Sequence, residues 1–277
     1  MEPIDIGEVI KRKSPSLAKK LPKFVVSLMG KIVHIREINE VLRLCDGKRG
    51  VDFAEGTLNY LNVKGRFHYM DESAFQKGDR YVFVSNHPLG GLDGLLLTAE
   101  LNRRFGPAKF LVNNILMNVE PLQDVFVPVN NLGTAASKEV EGVKELYRSD
   151  FHVLNFPAGA CSRLIKGKIQ DLPWKKSFVR EAIKSGRKIV PIYFGGKNSK
   201  RFYWTSKIRM ALGIKAFIEM VLLPDEMFRQ KNKVLDVVIG TPISPEEIKE
   251  SGKSSVEWCD IIRKKVYEYA SGYSARR

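Results

Sequence analysis

The sequence predicts an α/β fold: a mostly parallel central sheet flanked by helices, with an N-terminal helical segment ahead of it. Three observations carry this. From about residue 63 onward, short apolar runs that suit strands alternate with longer amphipathic runs that suit helices. Tyr81 to Ser85 is almost continuously apolar, the pattern of a parallel strand buried on both faces. The 277 residues are 44% hydrophobic and 28% charged, which suits one large globular unit that needs no disulfide or metal staple.

Taken in order, residues 1–15 are polar and carry Lys11-Arg12-Lys13, then Ser14-Pro15, as a tail or short helix would. From Pro22, a residue suited to a first helical turn, Leu17, Leu21, Phe24, Val25, Leu28 and Ile32 recur at three- and four-residue steps. Lys19, Lys20, Lys23 and Lys31 lie beside that face, so the helix suits either a membrane interface or the domain surface. Arg36 to Leu44 and Phe53 to Leu61 continue the helical pattern. Residues 1–62 thus form an amphipathic helical segment and residues 63–277 the α/β domain. Strands are expected at Val63 to Tyr69, Tyr81 to Ser85, Lys109 to Val112, His152 to Phe156, Ile189 to Phe194 and Val234 to Ile239. Helices are expected at Leu92 to Leu101, Ala135 to Tyr147, Trp174 to Ser185, Ser199 to Leu212, Ala216 to Leu223 and Val256 to Ala270.

Charge and composition narrow the function classes. Lys and Arg number 46 against 31 Asp and Glu, a net charge of +15, which favours an anionic partner. Cys45, Cys161 and Cys259 are odd in number and far apart, so no disulfide framework or CxxC site is visible, and a reducing cytoplasmic setting fits. His34, His68, His87 and His152 have no metal-ligand spacing. No signal peptide is expected from the opening residues, no run of ~20 apolar residues occurs, and membrane contact is expected to be peripheral.

The chemistry concentrates at Ser85-Asn86-His87-Pro88-Leu89-Gly90-Gly91-Leu92-Asp93-Gly94. Ligands in α/β sheets bind beyond the carboxyl ends of strands, which is where this loop falls. A histidine there can take a proton near neutral pH, and a nearby carboxylate can fix its tautomer. Gly90 and Gly91 let the backbone turn and approach a ligand, and the following helix start can attract an anion. No Gly-Lys-Ser/Thr follows, so this is not a P-loop. A loop histidine beside a glycine turn is the plainer alternative.

The Asn-His…Asp arrangement resembles the first signature of the glycerolipid acyltransferase superfamily, which contains lysophosphatidate and glycerol-phosphate acyltransferases. The usual form is His-x4-Asp; here five residues separate His87 from Asp93. The variant is similar to a divergent bacterial branch with Asn-His-Pro-x-Gly-x-x-Asp-Gly, associated with O-acylation of lyso-ornithine or lyso-glycine lipids. Asn155-Phe156-Pro157-Ala158-Gly159-Ala160-Cys161-Ser162-Arg163 resembles the Phe-Pro-Glu-Gly-Thr-Arg-Ser block, with Ala158 and Cys161 replacing its Glu and Arg. Ile189-Val190-Pro191-Ile192 resembles a later strand, and Val127-Pro128-Val129-Asn130 falls loosely where an acceptor-binding block would lie.

What the resemblance implies is an O-acyltransferase. His87 would act as general base and Asp93 would orient it. Asn86, Gly90, Gly91, Gly159, Ser162 and Arg163 would contact substrate, Arg163 supplying the guanidinium that Cys161 lacks. The donor would be an acyl-carrier protein or coenzyme A thioester, with no further cofactor and no metal. The acceptor would be a lyso-lipid, with a lyso-aminolipid favoured by the altered second block. The setting would be cytoplasmic, on an anionic membrane surface at the inner face of the cytoplasmic membrane. The alternatives are a 1-acylglycerol-3-phosphate acyltransferase and a non-enzymatic basic module for membrane or RNA. No RNA-binding signature supports a specific nucleic-acid partner. Asn198 to Trp204 mixes bases with aromatics, which suits single-stranded nucleic acid or a membrane interface. Cys161 could be imagined as a nucleophile, although a lone cysteine is more simply buried and inert. Leu95, Leu96, Leu97, Leu111, Val112, Ile115, Leu116 and Met117 are candidates for an acyl groove or for plain core.

Overall fold

The computed structural model describes residues 3–129, 136–214 and 218–274. Its N-terminal part is five helices: α1 (Ile6–Lys13), α2 (Pro15–Lys20), α3 (Lys23–Ile32), α4 (Ile35–Leu44) and α5 (Gly50–Leu61). Proline punctuates this segment, since Pro15 opens α2 and Pro22 caps α3. Left-handed His34 (φ 55°) separates α3 from α4, and left-handed Asn62 (φ 49°) ends α5. Val41, Phe53, Ala54, Leu58 and Leu61 join the same apolar core as the sheet. Phe24, Leu28 and Met29 on α3 face outward instead, and the side chains of Leu17 and Lys19 lie outside the described residues.

The main sheet strands are β1 (Lys64–Tyr69), β2 (Tyr81–Ser85), β3 (Ala108–Val112), β4 (Phe126–Pro128), β5 (His152–Asn155), β8 (Lys188–Phe194) and β9 (Val234–Ile239). Between β5 and β8 lies a hairpin of β6 (Arg163–Ile165) and β7 (Lys168–Gln170). Among the described residues the main sheet has seven strands in the order β1-β9-β8-β2-β5-β3-β4. All pairings are parallel except β8 with β9. The α/β class with a mostly parallel sheet is therefore as the sequence predicts.

Both faces are covered. On β2, Tyr81 and Phe83 enter one core together with α6 (Gly91–Phe105), while Val82 and Val84 enter the other. That second core contains residues of α7 (Ala136–Arg148), α8 (Ser177–Ser185) and α12 (Ser255–Ser274). The chain leaving β2 crosses to β3 by way of α6, and the chain leaving β5 crosses to β8 by way of α8. These crossovers run to opposite sides, so the gap beyond the carboxyl ends of β2 and β5 is a switch point where ligands bind.

Several elements differ from expectation. The helix expected from Trp174 begins at Ser177, because the chain before it turns across Asp171. The helix expected over Ala216 to Leu223 is a 3-10 turn, Ile218–Leu222, leading into α10 (Leu223–Phe228); Ala216 itself lies outside the described residues, as does Ala135. The sequence reading omitted β4, an edge strand that tolerates Pro128, and α11 (Pro245–Glu250). It also omitted the β6–β7 hairpin, whose turn puts Lys166 and Gly167 at positive φ. The helix Ser199 to Leu212 is observed as α9 (Lys200–Ala211), with Ser199 as its N-cap and Leu212 as its C-cap.

Arg187 fastens the far end of the sheet. Fully buried, it donates to the carbonyls of Leu146 (3.3 Å) and Tyr147 (3.0 Å) in the last turn of α7 and to those of Ser149 and Phe151 (2.7 Å) just beyond it. Arg187→Met should lower stability by about 3 kcal/mol, because these carbonyls stay buried without donors. Denaturant unfolding would check this; an unchanged midpoint would refute it.

Candidate active site

His87 follows β2, and Asp93 stands in the first turn of α6. The loop between them folds back so that the His87 Nδ1 lies 3.0 Å from the Asp93 Oδ2. The same oxygen accepts the Leu89 N–H at 3.0 Å, and Oδ1 accepts the Gly94 N–H at 2.9 Å. The Asp93 side chain is 0% exposed and that of His87 is 16% exposed. A carboxylate accepts, so Nδ1 carries the hydrogen and Nε2 presents its lone pair. Among the described residues Nε2 has no protein partner.

Glycines make the fold-back possible. Gly90 has φ +86°, and a side-chain carbon there would lie 3.1 Å from Leu223 and 3.2 Å from the Cys161 sulfur. At Gly94 such a carbon would lie 2.6 Å from the Phe110 ring. Phe110 packs edge-on against Phe156, which stacks on the His87 ring at 4.1 Å. Phe156 opens the second sequence block, so that block supports the flat face of the imidazole. The block returns at Ser162, whose N–H donates to the His87 carbonyl at 2.7 Å.

A residue the sequence did not single out ties these pieces together. Asp171 is 1% exposed. Its Oδ1 accepts the His87 backbone N–H at 3.2 Å and the Ser162 hydroxyl at 2.6 Å, and its Oδ2 accepts the Trp174 indole N–H at 2.9 Å. Tyr267 and Arg263 of α12 hold its backbone: the Asp171 N–H donates to the Tyr267 hydroxyl at 2.7 Å, and Arg263 donates to the Asp171 carbonyl at 3.0 Å. Burial raises the Asp171 carboxyl pKa, while hydrogen bonds from Ser162, Trp174 and the His87 backbone pull it down; the net direction is up. The only sequence signal was a charged residue inside an otherwise uncharged turn, Gln170-Asp171-Leu172-Pro173-Trp174.

The electrostatics favour a strong base. Burial lowers the His87 pKa, but the charge and hydrogen bond of Asp93, with the charge of Asp171, outweigh it and leave it raised. Burial pushes the Cys161 thiol up to about 12, so it is protonated at neutral pH and unsuited to nucleophilic attack.

The remaining expected site residues are placed as follows. Gly91 is exposed and opens α6, where the amides have no intrahelical acceptor. Gly159 is exposed (φ +67°), but its N–H donates to the Phe156 carbonyl at 3.0 Å. Asn86 is 3% exposed and both ends of its amide bind the Phe194 backbone, at 2.9 and 2.7 Å, stitching β2 to β8. Arg163 is 1% exposed and donates to the Cys161 carbonyl at 2.7 Å and to Glu219 at 2.8 Å. Glu219, fully buried, also lies 2.9 Å from the Arg209 Nε. Glu219 thus meets both guanidiniums, and Arg163 itself is not at an open surface. Of the loosely matched block, Val127 and Pro128 lie on β4, Val129 follows it, and Asn130 is outside the described residues.

A pocket of about 160 Å³ opens beside Phe156, lined by Leu111, Val112, Val129, Asn155, Gly159 and Lys175 among others. Sites that enclose a small molecule whole run to ~300–1,000 Å³, so an acyl chain would extend beyond it. Leu95, Leu96 and Leu97 are core, Leu116 and Met117 lie outside this pocket, and the Ile115 side chain is not among those described. The other histidines are held structurally: His34 by Asp225 (2.9 Å), His68 beside Asp236 (3.4 Å), and His152 by the Tyr81 N–H (3.1 Å) and Phe105 carbonyl (3.0 Å).

Known proteins resemble this chain over most of its length. The family model described as "Acyltransferase" matches residues 8–275. A lyso-glycine lipid O-acyltransferase of Bacteroides thetaiotaomicron is 41% identical over 266 residues, covering 96% of this chain and 97% of its own. A lyso-glycine lipid O-acyltransferase of Phocaeicola vulgatus is 38% identical, covering 96% of this chain and 94% of its own. Among solved structures, the 1-acyl-sn-glycerophosphate acyltransferase PlsC of Thermotoga maritima aligns over 88% of this chain and 89% of its own, with 16% identity and a TM-score of 0.45.

Two outcomes are expected. Removing the negative charge in Asp93→Asn lowers the His87 pKa, so the acid limb of the pH–rate profile should move to lower pH. The plateau rate should fall by roughly 10²- to 10⁴-fold as the tautomer is lost. An unmoved acid limb would separate His87 from the titration. Asp171→Asn should move the same limb in the same direction, with kcat reduced ~10-fold or more and KM little changed, because it acts by positioning; a wild-type pH profile would reduce Asp171 to a fold-stabilising role.

Proposed function

This chain belongs to the acyltransferase family, and from that premise we propose that it moves a fatty acyl group onto the hydroxyl of a lyso-lipid, with a lyso-glycine lipid as the favoured acceptor. The observation that carries the reading is the His87–Asp93 pair, with Nδ1 held and Nε2 left to the substrate. Similarity to lyso-glycine lipid O-acyltransferases over nearly the whole chain supports the acceptor class.

In the proposed reaction the His87 Nε2 takes the proton of the acceptor hydroxyl as its oxygen attacks the thioester carbonyl. The tetrahedral intermediate collapses, the ester forms, and the thiolate leaves with the proton returned by His87. Asp93 holds the ring and stabilises its charged form. The exposed Gly91 N–H at the start of α6 is the amide proposed to meet the developing oxyanion, because the Gly159 amide already has an acceptor.

The donor is proposed to be an acyl-carrier protein or coenzyme A thioester, and no cofactor or metal is invoked. The net charge of +15 suits an acidic carrier and an anionic membrane surface alike. No helix among the described residues is long and apolar enough to cross a membrane, so membrane contact is proposed to be peripheral, at the inner face of the cytoplasmic membrane.

Parallel assays of the purified protein with lyso-glycine lipid and with lysophosphatidate, using acyl-carrier protein and coenzyme A donors, test this reading. Turnover of lyso-glycine lipid is expected to dominate, and His87→Ala is expected to abolish it while the melting temperature holds. Clear preference for lysophosphatidate, or substantial activity in His87→Ala, would overturn it.

A further inference from the structure

The helix α9 is apolar on two sides. Phe202, Tyr203 and Ser206 are buried, with Phe202 and Tyr203 packed beside Cys161 at the floor of the site. A helix with one such face normally turns polar residues outward. Here Trp204, Ile208 and Leu212 recur every fourth residue on the outer side, at 53%, 55% and 68% exposure. Ile218 and Val221 of the following 3-10 turn are exposed as well, while Glu219 between them points inward. Scattered apolar residues on a surface need no explanation, but a stripe continued into the next element does.

The charges on α9 itself are of one sign. α9 carries Lys200, Arg201, Lys207 and Arg209 and no carboxylate. Lys200 and Lys207 are exposed, and the Lys207 ammonium lies 4.9 Å from the centre of the Trp204 ring. A second stripe of the same character lies on α3, where Phe24 and Leu28 are 73% and 55% exposed between Lys23 and Lys31. One carboxylate meets both regions: Asp225 binds His34 at the end of α3 and Arg201 in the first turn of α9. Large apolar side chains among lysines, with Trp at the edge, match an anionic bilayer interface in both polarity and charge.

We propose that α9 with the 3-10 turn after it, assisted by α3, is the surface on which this protein docks to a bilayer of anionic phospholipid. The proposal deepens the lyso-lipid reading and rests on it for its purpose. The buried side of the same helix packs against Cys161, and Leu223 beyond the turn presses on Gly90 in the His87 loop. A lyso-lipid at this interface would therefore stand close to the base without first leaving the membrane.

Flotation of the full chain with vesicles tests the surface without using activity. Wild type is expected to float with vesicles containing phosphatidylglycerol, less so in high salt and less with phosphatidylcholine alone. The exposed double variant Ile208→Ser/Leu212→Ser should bind phosphatidylglycerol vesicles ~10-fold or more weakly at an unchanged melting temperature. Val256→Ser, an exposed apolar change on α12, should bind as wild type does. Wild-type binding by the double variant, or no binding by wild type, would overturn the proposal. So would a wild-type dimer in sizing experiments that the double variant converts to monomer, since a second copy would then cover the stripe. Failure of the lyso-lipid reading shows separately, as absence of turnover on detergent-dispersed lyso-glycine lipid while vesicle binding persists.

Discussion

A carboxylate with no exposed surface is tolerated only when its oxygens are met by donors, and Asp93 meets three: the His87 ring and the backbone N–H groups of Leu89 and Gly94. These bonds do more than hold an imidazole. They pull the loop after β2 into a turn that needs Gly90 at positive φ, and they start α6 at a fixed point. The position of α6 then fixes Phe110 against Gly94 and Phe156 against His87. Much of the site is thus the consequence of satisfying one buried acid.

Around that acid the charges are arranged in two layers. Asp93 and Asp171 lie on the side of His87 that raises its basicity. Arg163, Glu219 and Arg209 form a buried ion-paired group, and the charge of Arg163 opposes that effect. The first layer suits proton abstraction. Keeping Arg163 paired with Glu219 holds a guanidinium in the interior that would be costly if left alone.

The parts of the site legible in the sequence were those close together in the chain. His87 and Asp93 share one strand–loop–helix unit, and the strand was readable because Tyr81 to Ser85 is apolar on both faces. The alternation of strands and helices gave the fold class, since each element buries a face of predictable period. Asp171 was not legible: its partners His87 and Ser162 lie 84 and 9 residues away, and no periodicity marks a lone acid in a turn. Arg163 was legible as a basic residue in the right block but not as a buried one, because Glu219 reaches it across 56 residues. On α9 the mixture of bases and aromatics was visible, but a helix apolar on two sides has no single stripe to show which side faces the core.

Asp171 is held from behind by Tyr267 and Arg263, on a helix that comes after every other element of the site in the chain. Ile262 and Val266 of that helix are fully buried over the sheet. During synthesis, β2, α6 and the Phe156 segment leave the ribosome well before α12 does. They can pair and pack early, yet the brace behind the base has no anchor until the closing helix arrives. The His87–Asp93–Asp171 arrangement is therefore completed late in the life of the nascent chain, and a ribosome-bound precursor would carry its residues without the finished geometry.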